Sequence, residues 1–439
     1  MRCRDALNIW SHLAGDRVGH VAGGAALLDS VLSNKKRRID LMSPRNAFFC
    51  CVAGAALFPV SAMSDELDLL QFNAGLAWQH DSNVFRLSDQ INTPAVAGTS
   101  GRSDNILTSS AGLKLRKPYG LQRFEADISI ENTNYKRFSN LDFTAINYAA
   151  AWRWSVTPAL HGNLTTDRRE YVDNSADVQS SGQLNRKTDR STRLDAEYEL
   201  DGVWRLLGGA FQRTNSNSQA STFEGDSKVA GAEAGVRYQF PFGTSLAYRF
   251  RNGKGEYTNR ATAASVSSDF TDREHEVQGE WLGGRAKVGG RISRLERTYN
   301  SIPARDFSGF LSQIDITYAL TGKTSVFAGV VRELGSYQTN NASYYQGTRV
   351  FVAPTWKATE NIAVRARYDY GVRDFKGPLP GFVASNRTDK TSLASLAVEW
   401  QPVRLLTLMA WLQRDQRTSN EFGADYKSNS VGISAKASF

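Results

Sequence analysis

Cysteine is nearly missing from this chain: 439 residues hold three, Cys3, Cys50 and Cys51, all close to the front. Everything after residue 51 therefore has no thiol for a disulfide, a thiolate metal site or a cysteine nucleophile. Histidine is almost as scarce. Only His80, His161 and His275 follow residue 62, far apart and without metal-ligand spacing. No H-E-x-x-H, G-x-S-x-G, phosphate-binding loop or dinucleotide fingerprint occurs, so neither a catalytic constellation nor a cofactor site is expected. Long apolar runs are missing too. After residue 63 none approaches the roughly eighteen residues of a membrane-crossing helix.

What is present is an unusual mixture. Charged residues make up 22%, apolar residues 41% and aromatics 11%, and the 36 glycines far outnumber the 11 prolines. Few long apolar runs combined with many aromatics suits strands that show one face to lipid and the other to water. The formal charge of +9 says little about nucleic acid. Residues 1–62 hold eight Lys/Arg against four Asp/Glu, and without them the charge falls to +5. No nucleic-acid partner is expected.

The front reads as an address. From Met42 the chain runs MSPRNAFFCCVAGAALFPVSA. Arg45 supplies a short positive region, Ala47 to Val60 an apolar stretch, and Val60-Ser61-Ala62 the small residues of a signal-peptidase site. Residues 42–62 are thus expected to be a signal peptide. Residues 1–41 contain Lys35-Lys36-Arg37-Arg38 but no domain-like pattern, and read as an over-extended N-terminus. Residues 63–439 form the body.

That body repeats. Turn signals recur near residues 118, 158, 202, 242, 284, 322, 359 and 402, with gaps of 37 to 44. Between them lie two alternating segments and a polar loop, such as Asn174–Gln183, Asn215–Asp226, Gly253–Asp269 and Gly377–Asn386. Nine hairpins of this kind predict about eighteen strands of roughly 11–15 residues, with loops of about 15–25 on the far side. Phe124, Ala126, Ile128 and Ile130 alternate with Arg123, Glu125, Asp127, Ser129 and Glu131. Ile362, Val364, Ala366, Tyr368 and Tyr370 alternate with Arg365, Arg367 and Asp369. Successive strand side chains point to opposite faces, so one face is apolar and the other charged.

A forty-residue period also fits a β-propeller, but a blade needs four short strands and each period here holds two long ones. Aromatics near the short turns (Trp152, Trp154, Tyr238, Phe240, Trp281, Tyr318, Trp356 and Trp400) suit an interfacial girdle. The end, Val431-Gly432-Ile433-Ser434-Ala435-Lys436-Ala437-Ser438-Phe439, is an alternating strand with a terminal Phe. The expected fold is all-β, a transmembrane antiparallel up-and-down β-barrel in the bacterial outer membrane, with outer-membrane lipid as its surroundings.

Its lumen-lining residues are expected to include Arg123, Arg153, Arg193, Arg237, Arg249, Arg251, Arg291, Arg365 and Arg367, with Glu125, Asp195, Glu197 and Asp369. Charges of both signs can pair across strands and stiffen the wall. They can also form a polar track for a hydrophilic polymer.

The first strand runs through Trp78-Gln79-His80 into Asp81-Ser82-Asn83-Val84-Phe85-Arg86-Leu87. This ending resembles that of the EpsL-type outer-membrane proteins, which are encoded with exopolysaccharide synthesis and export systems of Gram-negative bacteria, often beside an exosortase. Asp81, Ser82, Asn83, Phe85 and Arg86 are the positions that carry the resemblance. It implies a non-enzymatic barrel serving exopolysaccharide export, with polysaccharide and periplasmic export components as partners. From the residues alone, Asp and Asn at a strand end also make simple turn chemistry. A general porin for small hydrophilic solutes and a closed scaffold barrel of the secretion system fit the same pattern.

Overall fold

The computed structural model describes residues 69–173, 183–219, 225–259 and 269–439. The expected leader and signal peptide, and most of the 174–183 loop, lie outside the described residues.

Eighteen strands follow one another. The first six are β1 (Leu70–Asp81), β2 (Asp104–Tyr119), β3 (Gln122–Tyr135), β4 (Phe143–Ser155), β5 (Leu160–Val172) and β6 (Arg186–Glu199). Next come β7 (Trp204–Asn217), β8 (Asp226–Gln239), β9 (Ser245–Asn259), β10 (Phe270–Leu282), β11 (Ala286–Tyr299) and β12 (Phe307–Ala319). The last are β13 (Thr324–Ser336), β14 (Tyr344–Lys357), β15 (Ile362–Lys376), β16 (Thr388–Val403), β17 (Leu406–Ser419) and β18 (Tyr426–Ser438).

Each strand pairs antiparallel with its chain neighbours, and β1 pairs with β18 to close the sheet. Trp78 lies opposite Ile433 in that seam. The Phe72 and Phe439 backbones exchange bonds of 3.0 and 2.8 Å, so the terminal residue completes the closure. Hydrocarbon offers backbone groups no partner, and only a closed sheet leaves no open edge.

Strands of 12 to 16 residues rise roughly 30–40 Å at about 3.3 Å per residue and the usual barrel tilt. That is enough to cross the hydrocarbon layer. The outward band is apolar: Phe72, Leu76, Ile128, Ile146, Leu206, Val277, Ile292, Val350, Leu396 and Ile433 are all exposed.

At the rim holding both chain ends, the hairpins are tight. Gly120 takes φ 57°, as the first central residue of a type II′ turn must. Aromatics gather there. Trp152, Phe240, Trp281, Tyr318, Trp356 and Trp400 are exposed, and Trp154 and Tyr238 are half-buried.

The opposite rim corrects the loop lengths. Among the fully described connections at that rim, residues 82–103, at 22, fall in the expected range, and the others run from 6 to 11 residues. The Gly253–Asp269 loop is likewise corrected, because β9 continues to Asn259, and β7 continues to Asn217. Glycine there serves ring packing rather than a turn. Phe211 lies across Gly231 and Gly253, where added Cβ atoms would sit 2.9 and 3.4 Å from its ring. Polar side chains near the strand tops resemble loop composition because they rise above the lipid, while the hydrogen-bond ladder goes on.

Candidate functional site

Register places the charged residues on the face opposite the exposed apolar band. Near the turn rim, Arg123 meets Glu125 at 2.7 Å, and Glu125 also takes Arg153 at 2.9 Å. Two strands on, Glu197 accepts Arg205 at 2.8 Å and Arg237 at 2.6 Å.

Midway up the wall from β6 to β11 lies a larger network. Arg251 is bonded to Glu233 at 2.8 Å, to Glu276 at 2.9 and 3.0 Å and to Glu274 at 3.3 Å. Arg193 joins through Glu233 and lies 3.5 Å from Asp195. Arg291 and Arg249 approach Glu276 at 3.6 and 4.0 Å. Glu276 is 1% exposed and Arg251 5%. Neighbouring strands hold their inward residues within reach of one another, so long side chains lie along the wall and cover each other.

Across the barrel, Asp369 pairs with Arg349 and Arg367, both at 2.6 Å. Arg365 pairs with Glu399 at 2.9 Å. Phe351 packs against Phe327 and lies beneath the guanidinium groups of Arg349 and Arg367. Cations resting on ring faces add attraction that ion pairs alone do not supply. The thirteen predicted lining residues thus fall into separate clusters rather than one track. Glu274, Glu276, Arg349 and Glu399 were missed. Period 2 was there to find the first two, in Asp272-Arg273-Glu274-His275-Glu276. Because both faces of that stretch are polar, the contrast was hidden.

A second cluster closes part of the mouth. The 82–103 connection carries a short helix, α1 (Thr93–Ala97), and folds against inward-facing residues of β1, β3, β17 and β18. Asp81 accepts from the Ser428 hydroxyl at 2.6 Å, the Asn83 amide at 2.9 Å and the Arg86 guanidinium at 2.9 Å. Arg86 reaches Asp415 at 3.5 Å, and the Tyr426 hydroxyl donates to the same carboxylate at 3.2 Å. Burial alone would lower the Arg86 pKa, but the Asp81 and Asp415 carboxylates more than offset it and raise it above its ordinary value.

Arg86 sits at φ 53°, a left-handed conformation that costs a non-glycine residue free energy and persists only where surroundings enforce it. Asn83 supplies part of that constraint. It donates to the carbonyls of Leu87 at 2.8 Å and Lys427 at 3.0 Å, and accepts from the Leu87 amide at 3.0 Å. Ser82 bonds the Asn429 backbone at the rim. Phe85, 3% exposed, meets Phe138 edge-on at 4.8 Å, within a cluster that includes Val84, Leu87, Tyr135 and Leu141. All five resemblance-bearing residues thus have structural work: they dock the long connection inside the mouth.

Residues 276–439 match the family described as Putative beta-barrel porin 2. No curated protein matches. Among solved structures, the chain is similar to the Pseudomonas aeruginosa outer membrane protein opdK, at 12% identity and TM-score 0.45, covering 84% of this chain and 99% of that one. It is similar to P. aeruginosa OccK2 (OpdF) in complex with glucuronate, at 13% identity and TM-score 0.47, covering 84% and 96%. A BenF-like porin from Pseudomonas fluorescens Pf-5 gives 13% identity and TM-score 0.47, covering 85% and 100%. The closed sheet, its apolar outer band and the family match over β11–β18 together describe a porin-like β-barrel of the bacterial outer membrane.

Proposed function

We propose that this barrel is a porin, a passive route for small hydrophilic solutes across the outer membrane, narrowed at its mouth by the 82–103 connection. One observation carries the reading. Eighteen strands close around a face lined with paired charges of both signs, and closed sheets of 16–18 strands are wide enough for an aqueous channel. The porin family match over residues 276–439 supports it. Mixed charge sets weak ion selectivity, unlike a ring of one sign.

Reconstitution into planar bilayers tests this. Discrete conductance steps are expected, with larger steps once residues 84–102 are replaced by a short Gly/Ser link. A correctly closed barrel that never conducts ends the proposal and favours a closed scaffold. Exopolysaccharide export is the second reading, favoured by the Asp81-to-Leu87 resemblance, with polysaccharide and periplasmic export components as partners. A deletion strain separates the two. Loss of surface polysaccharide with normal solute uptake points to export, and impaired uptake with normal secretion points to the porin.

A further inference from the structure

Apart from Lys117 beside the β2–β3 turn, the outward charges of the strands stand toward the loop rim, where some are paired (Glu170 with Arg168 and Arg186, Glu296 with Arg294) and others are not. Along β8 the outward residues run Lys228, Ala230, Ala232, Ala234, Val236, Tyr238. Along β9, read from the same rim, they run Glu256, Lys254, Asn252, Phe250, Tyr248, Leu246. Along β10 they run Arg273, His275, Val277, Gly279, Trp281. Below Glu256 and Thr271, each strand passes from a cation, through a mainly apolar stretch, to an aromatic or a leucine. Lys228, Lys254 and Arg273 are exposed, and none has an ion-pair partner among the described residues. Arg190 on β6 is exposed in the same way, two strands across from Lys228 through Thr214.

The register puts these groups side by side. Lys228 lies opposite Glu256 and Lys254 opposite Thr271, and Arg273 faces Asn252, two residues from Lys254. Glu256 lies opposite Lys228 and Glu296 opposite Arg273, yet neither cation has an ion pair among the described residues. Glu256 forms no ion pair with Lys228, and Glu296 is engaged by Arg294 at 3.1 Å. Lys228, Lys254, Glu256, Asp269 and Thr271 border an open recess of about 500 Å³.

We infer that this outward patch of β6–β10 binds the phosphate groups of lipopolysaccharide in the outer leaflet. The cations stand directly above the apolar band, at headgroup height, where a water-facing ion pair would have no reason to be omitted. Exposed unpaired cations beside hydrocarbon are free to take a lipid-borne anion as their partner. The phosphorylated sugar headgroup of the outer leaflet supplies that chemistry at that depth. The aromatic rim, at the other end of the same strands, then lies in the inner leaflet.

The test compares wild type with the triple variant Lys228→Gln, Lys254→Gln, Arg273→Gln, both purified from outer membranes, with heat-modifiable migration on gels confirming the closed barrel. Wild type should retain lipopolysaccharide through purification, and adding it should raise the temperature at which the barrel opens. Each basic side chain at an anionic lipid surface is worth about fivefold in affinity, so the variant should bind on the order of a hundredfold more weakly. The charge-keeping variant Lys228→Arg, Lys254→Arg, Arg273→Lys should behave as wild type. Equal retention by the glutamine variant overturns the inference. So does equal stabilisation of wild type by dephosphorylated lipopolysaccharide, which would assign binding to acyl chains, or by inorganic phosphate alone, which would make this a free-anion site. These two titrations use wild type, so they decide the question even if the glutamine variant fails to assemble.

Discussion

On β9, Arg251 and Lys254 are three positions apart and belong to opposite faces, and their surroundings differ completely. Arg251 points inward, is 5% exposed and is held by three glutamates. Lys254 points outward, is exposed and has no ion-pair partner among the described residues. Around Arg251 the neighbouring strands supply the counter-charge, because there the side chains cover one another and exclude water. Outside, the lipid headgroups can provide it. Arg251 is therefore paired by the protein, whereas Lys254 is left to the membrane. In a medium where an uncompensated buried charge is costly, pairing is obligatory only where nothing else can compensate.

Removing Arg251 is the strongest way to break this comparison. Arg251→Met removes the one cation bonded to all three of Glu233, Glu274 and Glu276, leaving Arg193 on Glu233 and Arg291 near Glu276, and loss of one partner from a buried charged cluster costs about 3–5 kcal/mol. The barrel should open at a markedly lower temperature, read by heat-modifiable migration. If that temperature is unchanged, water rather than Arg251 compensates the glutamates.

Placing a charge where neither compensation exists comes next. Val350 faces outward at mid-height on β14, opposite Tyr370, and Val364 faces outward nearer the turn rim on β15, beside the inward Arg365. Val350→Arg should cost about 2–4 kcal/mol and impair assembly. The orientation itself can be read with Val364→Cys and Arg365→Cys, since no native cysteine follows Cys51. A lipid-soluble probe should label position 364 and a water-soluble thiol reagent position 365. Labelling of both from water would contradict a lipid-facing β15.

The mouth sharpens the comparison further. Arg86→Gln removes the charge that joins Asp81 to Asp415, and hydrogen bonds to charged groups are worth about 1.5–3 kcal/mol. That loss falls on the 82–103 connection rather than on the barrel. Conductance should rise while the opening temperature of the barrel stays near wild type. An unchanged conductance would show that the apolar cluster around Phe85 holds the connection by itself.

The smallest effect is expected at Arg365→Ser. Its partner Glu399 keeps an 18% exposed side chain, against 1% for Glu276, so lumen water can replace the guanidinium at a cost of about 1 kcal/mol. Assembly should be intact, with only a modest change in ion selectivity measured by reversal potential.

Strands such as Phe124–Ile130 and Ile362–Tyr370 were legible in sequence because apolar and charged residues alternate there with full contrast, and a lipid face tolerates no exception at mid-height. The same physics set the strand number through the forty-residue period and the closure through the alternating C-terminal strand. β10 was harder, since Arg273 and His275 make its outer face polar just where it leaves the hydrocarbon. Loop lengths were overestimated for that reason as well: above the membrane, composition no longer distinguishes ladder from loop.

Local alternation determined the fold class, the inward and outward sets and the two unlike rims, because each depends only on a residue's parity and its medium. Tertiary structure alone decided which charges meet. Asp81 and Ser428 are 347 residues apart and come within 2.6 Å only because β1 and β18 close the sheet. Arg251 reaches glutamates on both β8 and β10 because the register aligns them. Those pairings depend on how strands are staggered around the barrel, a long-range property that no window of sequence contains.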